Sequence, residues 1–273
     1  MIATICNVKI HYHVIGEGKP IFILHGLRCD HKLMLGCMEP LFTNKLEYKR
    51  IYVDLPGMGQ SDAPIEFCSS DKILELLISF INTLTNENFL LVGESYGGYL
   101  ARGILSQMPN RTNGLLLLCP VVKPEHRERN IPVKNVFISD EDFLSTLSEN
   151  EKIDFCEFAV IANQYTYKRF QDEVVAGLEI SNKDYIENLL QNYAFTFDVD
   201  EKLHHLKYNK LVLFITGRQD TSVGYHDLWN LIEDYPRATF SVLDIAGHNL
   251  QYEQPLLFEC LVKEWLNRIE IQA

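Results

Sequence analysis

The run Phe89-Leu90-Leu91-Val92-Gly93-Glu94-Ser95-Tyr96-Gly97-Gly98 places a serine where an apolar stretch gives way to glycines. Four consecutive apolar residues read as a strand buried on both faces. Leu100, Ile104 and Leu105, just downstream, share one face of a helix. Ser95 therefore falls at a strand-to-helix corner. Glycines two before and two after it suit a turn so tight that side chains there would collide. A corner of this kind strains the serine, lifts its hydroxyl above the strand end and aims a helix N-terminus at the same spot.

Further apolar runs, each closed by turn residues, flank this one. Pro20 to Leu24 leads into His25-Gly26, Arg50 to Val53 into Asp54-Leu55-Pro56-Gly57, and Gly114 to Leu118 into Cys119-Pro120. Leu211 to Ile215 leads into Thr216-Gly217, and Ala238 to Leu243 into Asp244-Ile245-Ala246-Gly247. Alternation from Thr4 to Ile15 predicts an N-terminal hairpin. Ile73, Leu76, Leu77 and Phe80 share a helical face that Ser70 or Asp71 could cap, and Leu257, Leu261, Trp265 and Leu266 share another after Pro255. Strands alternating with helices predict a doubly wound, mostly parallel α/β sheet. Between Val121 and Val199 the alternation stops. Helical patterns take over, with capping boxes read at Ser139/Asp142 and Ser181/Asp184. The expectation is a core of residues 1–120 and 200–273, with a helical cap of 121–199 over the end of the sheet. Most of the chain's negative charge lies in that cap, read as a solvated outer face.

With 273 residues, 47% hydrophobic and 23% charged, the chain can bury a large core, which excludes disorder and fibrous repeats. A net charge of −12 argues against a nucleic-acid partner, which calls for a basic face. The seven cysteines are scattered without any C-x-x-C spacing, so metal-ribbon and redox motifs are absent and packed thiols are expected. No signal-peptide pattern opens the chain, and no apolar stretch approaches the ~20 residues a bilayer needs. A cytoplasmic protein without membrane contact is expected; a homodimer is left open.

A serine hydroxyl is a poor nucleophile near neutral pH and needs a base, which in turn needs an orienting carboxylate. Among nine histidines, His248 follows the last strand, on a loop ahead of the final helix. Asp220 follows the strand Leu211 to Ile215, and Glu125 is the nearest other acid, after the strand ending at Leu118. Strand ends of a parallel sheet gather at one edge, so Ser95, Asp220 and His248 are expected to converge there. Backbone amides of Tyr96 and Leu27 are the candidate donors for an oxyanion, with Gly26 allowing close approach and His25 structural. Arg28 and Arg218 flank the site in sequence and are candidates for a substrate carboxylate.

Taken together, His25-Gly26, Asp54 to Asp62, Gly93 to Gly98, Gly217 to Asp220 and Gly247-His248 make a pattern that resembles the α/β-hydrolase fold superfamily. It is most similar to the esterase, C–C hydrolase and proline iminopeptidase-like branches. The resemblance covers nearly the whole chain. It implies an eight-stranded sheet with a cap, an acyl-enzyme at Ser95, a small-molecule substrate and neither metal nor organic cofactor. A serine at the corner disfavours the branches with an aspartate nucleophile. The expected activity is cleavage of a small carboxylic ester or related acyl compound. C–C hydrolysis, lactone opening, acyl transfer or perhydrolysis by the same triad, and a non-catalytic binding role, are the alternatives.

Overall fold

A computed structural model describes residues 1–42 and 47–272. Eight strands form its sheet: β1 (Ile2–Ile5), β2 (Val8–Ile15), β3 (Lys19–Leu24), β4 (Tyr48–Val53), β5 (Phe89–Glu94), β6 (Thr112–Leu118), β7 (Val212–Gly217) and β8 (Ala238–Leu243). Their spatial order is β1-β2-β4-β3-β5-β6-β7-β8. The β1–β2 hairpin is antiparallel and β2 pairs antiparallel with β4; every later pairing is parallel. Burial explains the two sequence patterns. On β2, Val8, Ile10 and Tyr12 point inward while Lys9 and His13 face solvent, giving alternation. Central β5 and β7 are buried at every position, which requires unbroken apolar runs. Edge strand β8 has one neighbour and is only half-buried, despite its apolar run.

Register sets where the strand ends meet. Leu24 lies opposite Gly93, Glu94 opposite Leu118, Leu118 opposite Ile215, and Gly217 opposite Leu243. The loops after β3, β5, β6, β7 and β8 therefore open along one edge. Helices α1 (His31–Met38), α2 (Ser70–Leu84), α3 (Ser95–Gln107) and the C-terminal helix Pro255–Gln272 flank the sheet, α2 packing on α3 and the last helix on β7. Ser69, rather than Ser70 or Asp71, caps α2 by accepting from the Lys72 amide. The last helix buries Phe258, Val262, Trp265, Leu266 and Ile269, while Leu257 is exposed. Its inward face therefore runs through Phe258 and Val262 in place of Leu257 and Leu261, and Trp265 on it donates its indole N–H to Leu211 O.

Between β6 and β7 the chain leaves the sheet. It forms helices at Glu141–Leu144, Glu149–Phe158, Gln164–Phe170 and Lys183–Gln191, the third running on through a π-turn to Ile180. The caps differ from the sequence reading. Asp140 and Asn182 cap the first and last of these helices, and true capping boxes occur at Ser148/Glu151 and Asn163/Thr166. A two-residue parallel pair, Ile138–Ser139 with Ile161–Ala162, is too short to leave a sequence pattern. Leu144, Phe155 and Phe170 build a second apolar cluster with Cys29, with Leu33 of α1 and with Tyr252 of the short helix Leu250–Glu253. At its far end the segment is stitched to α3: Tyr193 stacks on Tyr96 at 4.8 Å, and Phe195 on Tyr99 at 4.3 Å. All seven cysteines are free thiols, Cys6 and Cys260 exposed. Among the described residues no helix is long and apolar enough to cross a membrane.

Candidate active site

Ser95 sits at the junction of β5 and α3 with φ of 51°, left-handed backbone that L-residues avoid. The glycines around it are demanded by contact. A Cβ on Gly93 would lie 2.4 Å from Gly97 O, and one on Gly97 would lie 2.5 Å from Leu24 O. Those neighbours are backbone and cannot swing away. Gly93→Ala is therefore expected to cost about 1–3 kcal/mol by overpacking and to displace the serine. Urea unfolding read beside activity checks it, and unchanged stability would count against the tight corner.

Three of the expected residues meet. His248 Nε2 is 3.0 Å from Ser95 Oγ, and His248 Nδ1 is 2.9 Å from Asp220 Oδ2. Asp220 is fully buried, and its Oδ1 accepts from the Ser222 amide at 2.8 Å and the Val223 amide at 3.0 Å. Burial works against its charge, but His248 and those amides hold its carboxyl below the usual range. Burial also works against a charged His248; Asp220, helped by the nearby Glu94 carboxylate, outweighs it and pushes the imidazole up to about 9. Glu125 lines the cavity, yet the histidine bonds Asp220 instead.

The histidine loop is held by residues that the sequence reading did not single out. Gln219 bridges β7 and β8: its side chain donates to Asp244 and accepts from the Ala246 amide, at 2.8 and 3.0 Å. Glu253 accepts from the Gly247 amide with one oxygen and from the Val160 amide with the other, both at 2.6 Å. It thus ties the residue before His248 to the inserted segment. A buried carboxylate needs such donors, and its position one turn into a helix beyond the histidine was the only available signal.

Above Ser95 lies a cavity of about 490 Å³. Gly26, Leu27 and Arg28 wall it on the sheet side, and Arg129, Phe158 and Tyr193 on the side of the inserted segment. Arg28 has φ of 66°, and its amide donates to Met58 Sδ. His25 is structural as expected: its Nε2 accepts from the Leu55 amide at 3.0 Å and its Nδ1 meets Gly26 O at 2.7 Å, fixing the turn that carries Leu27. Tyr96 stands in the first turn of α3, where amides have no partner within the helix; its hydroxyl meets Ser70 Oγ at 2.9 Å.

The two arginines part company. Arg28 lines the cavity and Arg218 is not among its lining residues, so of the two candidates for a substrate carboxylate only Arg28 borders the site, a correction for Arg218. Arg218 turns outward because the residues on either side of it, Gly217 and Gln219, are both buried at the strand end. Arg129, not foreseen, donates to the carbonyls of Lys123, Pro124 and Ser222 and so braces the loop after Asp220. His11, His31 and Asp54 also bring metal-type donor atoms within 4.8 Å of one another. There both Asp54 oxygens are taken, by the two Nδ1 atoms and by the amides of His31 and Gln60, so the cluster reads as a clamp on the loop after β4.

A strained serine at the end of a central parallel strand marks an α/β-fold hydrolase. The chain belongs to the α/β hydrolase fold family, whose model matches residues 19–255. It is similar to the crystal structure of an alpha/beta superfamily hydrolase from Oenococcus oeni, with a TM-score of 0.89 and 34% identity over 99% of both chains. A 2-hydroxy-6-oxononadienedioate/2-hydroxy-6-oxononatrienedioate hydrolase of Paraburkholderia phymatum is 26% identical across 96% of this chain and 92% of that protein. A monoacylglycerol lipase of Xenopus laevis is 24% identical across 97% of this chain and 81% of that protein.

Proposed function

We propose that the protein is a serine hydrolase that cleaves a small carboxylic ester or related acyl compound through an acyl-enzyme on Ser95. The observation that carries this reading is the unbroken chain from Ser95 Oγ through His248 to Asp220, at 3.0 and 2.9 Å. As Ser95 Oγ attacks the substrate carbonyl, His248 Nε2 takes its proton, and Asp220 holds the ring and offsets the imidazolium charge. The Leu27 and Tyr96 amides receive the oxyanion. The imidazolium then protonates the leaving group, and the neutral ring draws a proton from the water that releases the acid. Every step uses groups of this chain. Residues 121–199 act as a cap that walls the pocket over a core of 1–120 and 200–273.

Arg28 favours a second reading in which the substrate bears a carboxylate. Arg28 borders the cavity, and the one hydrogen bond it makes among the described residues is from its backbone amide. A relative named for a dioate substrate points the same way. C–C cleavage by the same triad is then the alternative to ester hydrolysis.

An acyl-enzyme is tested by partitioning. With hydroxylamine present, phenyl acetate and p-nitrophenyl acetate are expected to give one ratio of acetohydroxamate to acetate, since both pass through acetyl-Ser95. A ratio that changes with the leaving group contradicts the covalent intermediate.

A further inference from the structure

Glu94, the last residue of β5, is a second carboxyl group at the triad. Its exposure is 2%, and its Oε1 lies 3.3 Å from His248 Nε2. Oε2 has no hydrogen-bond partner among the described residues and lies so close to Gly26 that a Cβ there would sit 2.2 Å away. The carboxyl also lines the substrate cavity. The imidazole thus stands between two acids: Asp220 on the Nδ1 side, fixed by two backbone amides, and Glu94 on the Nε2 side. Nε2 carries one proton at most, and Ser95 Oγ and Glu94 Oε1 compete for it.

We propose that Glu94 is a positioning residue that acts through His248: ionised, it holds the imidazolium and withholds the base from Ser95, so that hydrolysis sets in only at alkaline pH. This rests on the reading of Ser95 and His248 as nucleophile and base. The surrounding charges agree with it. Burial raises the Glu94 carboxyl to about 7, with His248 and the Gly26 amide opposing the rise and Asp220 adding to it. Arg129 and Arg28 are the cations nearby, and Arg129 opposes the rise at His248. Burial pushes up the Cys29 and Cys119 thiols and the Tyr193 phenol, which stay neutral through the range.

The sign follows from counting protons. At low pH both Glu94 and His248 hold one. The first to leave comes mainly from Glu94, and the new carboxylate then tightens the grip of His248 on its own. The base is freed in the second step, near 9, and the two steps belong to the pair rather than to either residue. Once free, the base gains from Glu94, because the imidazolium formed during attack lies between two carboxylates.

The test is the second-order rate of labelling by a small fluorophosphonate from pH 5 to 10, on the wild type and on Glu94→Gln. The wild-type midpoint is expected well above the ordinary histidine value of ~6.5. In the variant it should fall by at least one pH unit, with a lower plateau. A merely structural glutamate would lower the rate at every pH and leave the midpoint in place, and that result overturns the proposal. Should Glu94→Gln not fold, the wild-type profile decides alone: a midpoint near 6.5 overturns the proposal. No adduct at any pH would instead remove the nucleophile reading, and this proposal with it.

Discussion

Ser95→Ala is expected to fold normally and to lose ester hydrolysis by about 10⁴–10⁶-fold in kcat, as removal of a triad nucleophile does. Serine and alanine both carry a Cβ, so the left-handed strain at φ of 51° is shared and the corner does not relax. What disappears is one oxygen, whose side-chain partner is His248 Nε2 at 3.0 Å. The cavity and oxyanion amides remain, so substrate still binds. Residual turnover then comes from water attacking a polarised carbonyl. The check is kcat beside substrate affinity and circular dichroism: lost turnover with preserved affinity and fold is the expected combination. Turnover within tenfold of wild type would remove Ser95 as the nucleophile.

Asp220→Asn is the second large effect, about 10⁴-fold in kcat, and it acts through a proton that the substitution never touches. Asp220 Oδ1 receives the amides of Ser222 and Val223, so the asparagine must keep its carbonyl oxygen there. Its NH₂ then faces His248 Nδ1, which can no longer donate. The ring must switch its proton to Nε2, and Nε2 ceases to be an acceptor for the Ser95 proton. Geometry survives while the base is lost. The imidazolium also loses its buried counter-charge, so the ring should titrate at lower pH. NMR of the His248 ring beside kcat checks both halves. An asparagine variant with near-wild-type kcat would show that His248 is oriented by another group.

That Ser95, Asp220 and His248 come together was legible in sequence because strand ends and tight turns are written locally. Gly93 is required by a contact four residues away, Gly97 by the end of the neighbouring strand at Leu24, and a parallel sheet brings such strand ends together. Long-range side-chain bonding is not written that way. Nothing near Gln219 announces that it bridges two strands, and nothing near Glu253 announces that it holds the inserted segment to the histidine loop. Arg218 was misjudged for the same reason: a residue beside the site in sequence can point away from it. Cap residues shifted by one position, as at Ser69 and Asn182, because several short polar residues in a row can each serve and packing selects among them. Glu94 did carry a signal, an acid ending a strand buried on both faces.

Intact-mass labelling with a small fluorophosphonate, on the wild type and on Ser95→Ala at pH 9, tests the nucleophile assignment most directly. One adduct on the wild type and none on the variant is the predicted result, with peptide mapping placing it on Ser95. An equal adduct on both proteins, or none on folded wild type, would contradict the assignment.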